Sequence, residues 1–216
     1  MKRSHTESEI MTSQPKKIVL LGNGSIGKST LFDKITKLTD SDYRFPKVYK
    51  ATDNFDFGRI TLSTNLSSFI TIDLWDTAGQ ETRGGTLRDA YLKGADGVLL
   101  LYDLSDSTSV EKIPKWLEQI KRVSPNVPVA VIGNKLDKFN DLQQSESVKL
   151  RECNLVRDVG HNNIKNFMIS IKENTHLVES TSGLFSSKTT LKTNDGCMIG
   201  LEYVLSKLYK QSITIK

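Results

Sequence analysis

Cysteine is nearly absent from this chain of 216 residues, with only Cys153 and Cys197 present. Their number and separation give neither a metal-ligand spacing nor a disulfide framework, which points to a reducing compartment, cytoplasmic and/or nuclear. Long apolar runs are missing too. No stretch approaches the roughly 20 residues that a membrane-spanning helix needs. Met1-Lys2-Arg3-Ser4-His5 has no secretory apolar core. Glycine does not follow Met1 and no cysteine stands among residues 212–216, so no stable membrane anchor is expected. Basic residues outnumber acidic ones, 30 to 25, but the lysines are scattered and form no block. The net charge of +5 therefore reads as solvated surface, and no direct nucleic-acid contact is expected. With 37% hydrophobic and 25% charged residues, the chain suits one soluble domain with a sizeable core.

Residues 1–15 are polar and aperiodic, the pattern of a disordered tail. The domain follows at 16–210, with a short tail at 211–216. Short apolar runs at 17–21, 97–103, 127–134 and 166–170 read as buried strands, and 54–62 and 69–76 as a strand pair joined by a turn near Asn65. Helices are expected at 28–37, 87–93, 107–123, 145–153 and 198–209. This alternation predicts a doubly wound α/β fold: a six-stranded, mostly parallel sheet with one antiparallel edge strand and helices on both faces. Residues 173–196, rich in Ser, Thr, Asn and Lys, break the rhythm and read as a flexible surface insertion.

Three motifs carry chemistry. Gly22-Asn23-Gly24-Ser25-Ile26-Gly27-Lys28-Ser29 follows a strand and opens a helix, the setting that a phosphate-binding loop requires. Its glycines let successive N–H groups point at phosphate oxygens, and the helix dipole assists. Lys28 would bridge the β- and γ-phosphates, Ser29 would give its hydroxyl to Mg²⁺, and Thr30 would face the α-phosphate side. Asp76-Thr77-Ala78-Gly79-Gln80-Glu81 follows another strand. Asp76 suits a water-mediated Mg²⁺ ligand, the Gly79 N–H could swing to a γ-phosphate oxygen, and Gln80 is placed to orient an attacking water.

Asn134-Lys135-Leu136-Asp137 names the base. A carboxylate just past a strand end accepts two hydrogen bonds from N1–H and the 2-amino group of guanine. Adenine offers no such pair and would leave the carboxylate unsatisfied. Asn134 can serve the purine N7 side and tie its loop to the phosphate loop, while the Lys135 stem lies along the base. Together the motifs point to GTP and GDP as ligands.

In order and spacing the three motifs resemble the Ras superfamily of small GTPases, over residues 17–170 and the last helix. The segments 45–52 and 84–91 are most similar to the Ran branch. The resemblance implies the P-loop small GTPase fold and slow, Mg²⁺-dependent GTP hydrolysis working as a conformational switch, with Gln80, Lys28 and Thr52 in catalytic roles. It makes Thr52 the switch threonine, giving Mg²⁺ its hydroxyl beside Ser29 and Asp76. It also places Phe45 edge-on against guanine and makes Ser170-Ile171-Lys172 the last base loop, where a backbone N–H meets guanine O6. Gly24 would have to stay small so that Gln80 and an incoming arginine finger can reach the reacting phosphate.

Implied partners are switch-dependent effectors, an exchange factor, an activating protein and, for a Ran-like protein, nuclear transport receptors. Three departures stand out: extra chain near 39–43, Ile171 in place of alanine, and a basic end with the 173–196 insertion where Ran has an acidic tail. They weigh against nuclear transport and leave the nucleotide chemistry alone. The rival readings are a GTP-holding scaffold that hydrolyses little, and a Rab-type trafficking GTPase without a lipid anchor.

Overall fold

The computed structural model describes residues 14–37, 55–65, 69–77, 85–141, 163–178, 189–192 and 196–215. Among the described residues, eight strands form one sheet in the order β2-β3-β1-β4-β5-β6-β7-β8. The centre consists of β1 (Lys16–Leu21), β4 (Gly97–Asp103) and β5 (Val129–Asn134). These are the most continuously apolar stretches, and β4 and β5 are buried along their whole length. Strands apolar on both faces must be covered on both, which parallel pairing with crossover helices achieves. Accordingly β1 pairs in parallel with β3 (Phe69–Thr77) and β4, β4 with β5, and β5 with β6 (Ile164–Ser170). β2 (Phe55–Ser63) runs antiparallel to β3 as the expected edge strand.

The period-two alternation of strand side chains divides the core in two. Ile18, Leu20, Leu99, Leu101, Ala130 and Ile132 point to one face, packing under α1 (Lys28–Thr36) and the last helix. Val19, Leu21, Val98, Leu100, Val129 and Val131 point to the other, under α2 (Gly85–Leu92) and the pair α3 (Ser107–Glu111) and α4 (Ile113–Val123). On α4, Ile113, Trp116, Leu117 and Ile120 recur at helical spacing and are buried. Asp89 ties α2 to α4 by accepting from Gln119 Nε2 at 2.8 Å and Arg122 Nη2 at 2.8 and 2.9 Å.

The single helix expected over 107–123 is two helices, and Pro114 is the reason. Inside a continuous helix it would lack a donor and push into the preceding turn. The chain instead breaks at Lys112 and restarts with the proline in the first turn of α4, where its missing N–H costs nothing. After β5 comes α5 (Leu136–Asp141). The helix expected at 145–153 lies outside the described residues, as do residues 1–13.

The segment 173–196, expected as a flexible insertion, contributes backbone to the sheet. β7 (Thr175–Val178) runs antiparallel to β6 with Ile169 opposite His176, and β8 (Thr189–Lys192) runs antiparallel to β7. Thr175, Val178, Thr189 and Thr190 give these four-residue strands β propensity enough to add at an open edge once β6 supplies the template. Residues 179–188 and 193–195 lie outside the described residues.

The last helix, α6 (Ile199–Tyr209), buries Leu201, Val204 and Leu205. Beyond it the chain folds back as a strap. Ile213 and Ile215 are each 3% exposed, and Ile215 forms a β-bridge with Thr64 at the β2–β3 turn. Asn65 holds the strap by three bonds: its N–H to the Thr214 carbonyl at 3.0 Å, its Oδ1 from the Thr214 N–H at 2.9 Å, and its Nδ2 to the Ser212 carbonyl at 3.1 Å. Ser206 Oγ and Glu202 Oε1 on α6 accept the Ile213 and Ile215 N–H groups, each at 2.9 Å.

Ile213→Ala should lower the unfolding free energy by about 2–5 kcal/mol, whereas Gln211→Ala on the exposed face should change it by under about 0.5 kcal/mol. Urea midpoints read both. Equal midpoints for the two variants would mean that the strap is not docked.

Candidate active site

The carboxyl ends of β1, β3, β4, β5 and β6 meet at one edge of the sheet, where ligands bind in open α/β folds. The loop after β1 curls through three left-handed residues: Gly22 at φ 132°, Ser25 at φ 60° and Gly27 at φ 101°. A side chain at Gly22 would meet the Leu101 carbonyl oxygen at 2.2 Å, and one at Gly27 would meet Asn134 Nδ2 at 2.5 Å. Both places thus require glycine on conformation and on space. Ile26, 3% exposed, turns inward and pins the loop to the core. Gly24 sits exposed at the turn.

No side chain caps α1 at Gly27, which leaves the first-turn N–H groups to face the loop as an anion site does. Lys28 is 5% exposed and donates to the Asn23 carbonyl at 2.6 Å. Asn23 is anchored in turn, its Oδ1 accepting from Trp116 Nε1 at 3.3 Å. Ser29 and Thr30 stand half-buried on the first turn of α1.

Asp76 is fully buried at the carboxyl end of β3, in register with Leu20 just before the loop. Thr77 Oγ1 locks the two strand ends by donating to the Leu20 carbonyl at 2.7 Å. Magnesium at phosphate sites takes one or two protein oxygens and fills its octahedron from phosphates and water. Among the described residues no group of three or more His, Cys, Asp or Glu could cage a metal. The Ser29 hydroxyl and the Asp76 carboxylate are hard oxygen donors, so the donor set fits Mg²⁺ bound alongside phosphates.

The base side is assembled around Asn134, 5% exposed at the end of β5. Its Nδ2 donates to the Ile26 carbonyl at 2.9 Å and its Oδ1 accepts the Ile171 N–H at 3.1 Å. The expected tie to the phosphate loop is present, and the same amide also holds the segment 170–172. The Ile171 N–H is thus engaged with Asn134. Asp137 accepts from Ser170 Oγ at 2.7 Å, and Lys172 Nζ lies 3.9 Å from its other oxygen. The Glu173 N–H donates to Ser170 Oγ at 3.1 Å, closing the turn.

Sequence reasoning did not single out Asp103. It ends β4 beside Asn134 and accepts from Lys135 Nζ at 2.6 Å, and from the Ser105 N–H at 2.9 Å and hydroxyl at 2.7 Å. Burial alone would raise its carboxyl, but the hydrogen bonds from Lys135 and Ser105 outweigh that and hold it below the usual carboxylate range. Lys135 therefore does more than lie along a base. From a left-handed backbone, φ 64°, its ammonium also reaches the Ser25 carbonyl at 2.9 Å. A signal was present in an aspartate closing a wholly apolar strand, with Ser105 and Ser109 close behind. Phe45, Thr52, Gly79 and Gln80 lie outside the described residues.

The sequence pattern of the Ras family matches residues 17–187, most of the chain. The chain belongs to the Ras family. It is a small GTPase, a GTP hydrolase that binds GTP and GDP. Among its relatives are Ras-related protein Rab-7b of Paramecium octaurelia, 28% identical over 91% of this chain and 94% of that one. RABA1b of Arabidopsis thaliana is 36% identical over 56% of this chain and 53% of its own. The GTP-binding protein ypt5 of Schizosaccharomyces pombe is 33% identical over 62% and 61%. These names do not support the Ran branch that segments 45–52 and 84–91 suggested, nor transport receptors as partners.

Asn134→Ala removes both inter-loop bonds at once. Losing buried hydrogen-bond partners costs about 1–3 kcal/mol, so GDP affinity should fall by about 5- to 150-fold, as read by titration of a fluorescent GDP analogue. Unaltered affinity would show that the two loops hold the ligand independently.

Proposed function

We propose that this GTPase works as a Rab-type switch, cycling between a GTP form that recruits protein partners and a GDP form that releases them. The observation that carries the reading is the Asn134 amide, which joins the phosphate loop to the base loop. Phosphate and base contacts are thereby coupled in one site. In this reading Asp137, held by Ser170, receives guanine, and Lys28 with the first-turn N–H groups of α1 cradles the β- and γ-phosphates. Ser29, Asp76 and Thr52 would hold Mg²⁺, which when bound would supply neutralising charge at the phosphate oxygens. Gln80 would orient a water in line with the γ-phosphorus; the water oxygen bonds to phosphorus as the bond to the bridging oxygen of GDP breaks, and the water's proton leaves with the phosphate. Thr52 and Gly79 would contact the γ-phosphate only while it is attached, so its loss would release the switch segments to which they belong.

A partner surface supports the switch reading. Phe55 and Phe57 are 43% and 47% exposed. Their rings gather about Trp75, with Phe55 stacked at 5.3 Å and Phe57 edge-on at 5.2 Å, and Tyr91 packs 5.5 Å from Phe55. The cluster stands on β2, β3 and α2, elements that follow Thr52 and flank Gly79 in sequence. Exposed aromatics of this kind are the usual anchors of a protein interface.

Asp137→Asn should move preference from GTP towards xanthosine triphosphate, whose 2-oxo group accepts where guanine donates; competition binding measures it, and undiminished GTP preference would refute the base assignment. Gln80→Leu should slow phosphate release in single-turnover assays of GTP-loaded protein. Equal rates for Gln80→Leu and wild type would favour a scaffold that holds GTP without using Gln80.

A further inference from the structure

We infer that Asp103 is a positioning residue for nucleotide retention, acting through Lys135 to hold the phosphate loop in a conformation that Ser25 adopts only under constraint. The inference rests on the guanine-nucleotide site above and names what regulates how long that site keeps its ligand.

Two backbone irregularities face each other across the site. Ser25 and Lys135 are both left-handed, at φ 60° and 64°, and neither is glycine. Such conformations cost an ordinary residue free energy and persist where the surroundings over-determine them. One side chain links the two. Lys135 Nζ donates at 2.9 Å to the carbonyl oxygen of Ser25 itself and at 2.6 Å to Asp103 Oδ2. Asp103 is fixed independently of any ligand: β4 pairs it with Asn134, its own N–H donates to Ser109 Oγ at 3.0 Å, and Ser105 donates twice to its Oδ1. Its side chain is 11% exposed and that of Lys135 25%. This ion pair is therefore shielded more than a surface pair and draws the ammonium to one place. Lys135, so placed, holds the Ser25 carbonyl, and the loop keeps the curl that aims its N–H groups.

The prediction concerns residence time and its genetic suppression. Release of a fluorescent GDP analogue should quicken on the order of tenfold in Asp103→Asn, the loss of one charge-assisted bond. Ser25→Gly, added to Asp103→Asn, should recover part of that loss, because glycine adopts φ near 60° without being held. A merely structural role for Asp103 would give no such recovery. Asp73→Asn on β3, which removes the charged partner of exposed Arg59 on β2, should leave release unchanged. Partial recovery by Ser25→Gly in a Lys135→Met background supports the same clamp where Asp103→Asn yields no folded protein, and absence of recovery there overturns it. Wild-type retention of GDP with release unaltered in Asp103→Asn, or quickened but not recovered by Ser25→Gly, overturns the inference alone. Failure of wild type to retain GDP overturns the nucleotide site and this inference together.

Discussion

One side-chain amide, that of Asn134, holds together two loops separated by well over a hundred residues of chain. Its donor end satisfies the Ile26 carbonyl and its acceptor end the Ile171 N–H. Buried backbone groups left unpaired are costly, so neither loop has a cheaper arrangement once the sheet has brought them close. The sheet makes that closeness unavoidable. β1, β5 and β6 are parallel, so the loops leaving their carboxyl ends share an edge, and Gly27 can accept Asn134 only because it has no Cβ.

Around this amide the site has a layered logic. Thr77 locks β3 to β1, Trp116 anchors Asn23 from α4, and Ser170 holds Asp137. Each restraint comes from a different element, and of the three only Ser170 also belongs to a loop expected to contact the ligand. The loops are thereby shaped by the rigid scaffold before any ligand arrives, which lowers the ordering entropy that binding must overcome.

The central strands were legible because burial on both faces demands an uninterrupted apolar run, and 97–102 and 129–132 have one. The phosphate and base loops were legible because glycine and the Asn-Lys-x-Asp spacing answer to geometry and chemistry that few other residues satisfy. Legibility failed where a single residue overrode a window. Pro114 splits a segment whose apolar spacing is helical throughout, and Asp103 looks like any strand-end aspartate until Lys135 is placed beside it. The β7–β8 hairpin was missed for another reason. Its strands are short and polar, and what orders them is the open edge of β6, a tertiary fact.

The strap that ends the described chain gives the fold a mechanical grain. Ile215 and Asn65 meet at the far end of β3 from Asp76, about 23 Å away along a strand rising roughly 3.3 Å per residue. Tension applied through residue 215 would meet the bridge to Thr64, the amide of Asn65 and the α6 acceptors Ser206 and Glu202 before it reached the end of the last helix. The strap thus works as a clasp, closing the last helix onto the β2–β3 turn at the end of the sheet opposite the phosphate loop.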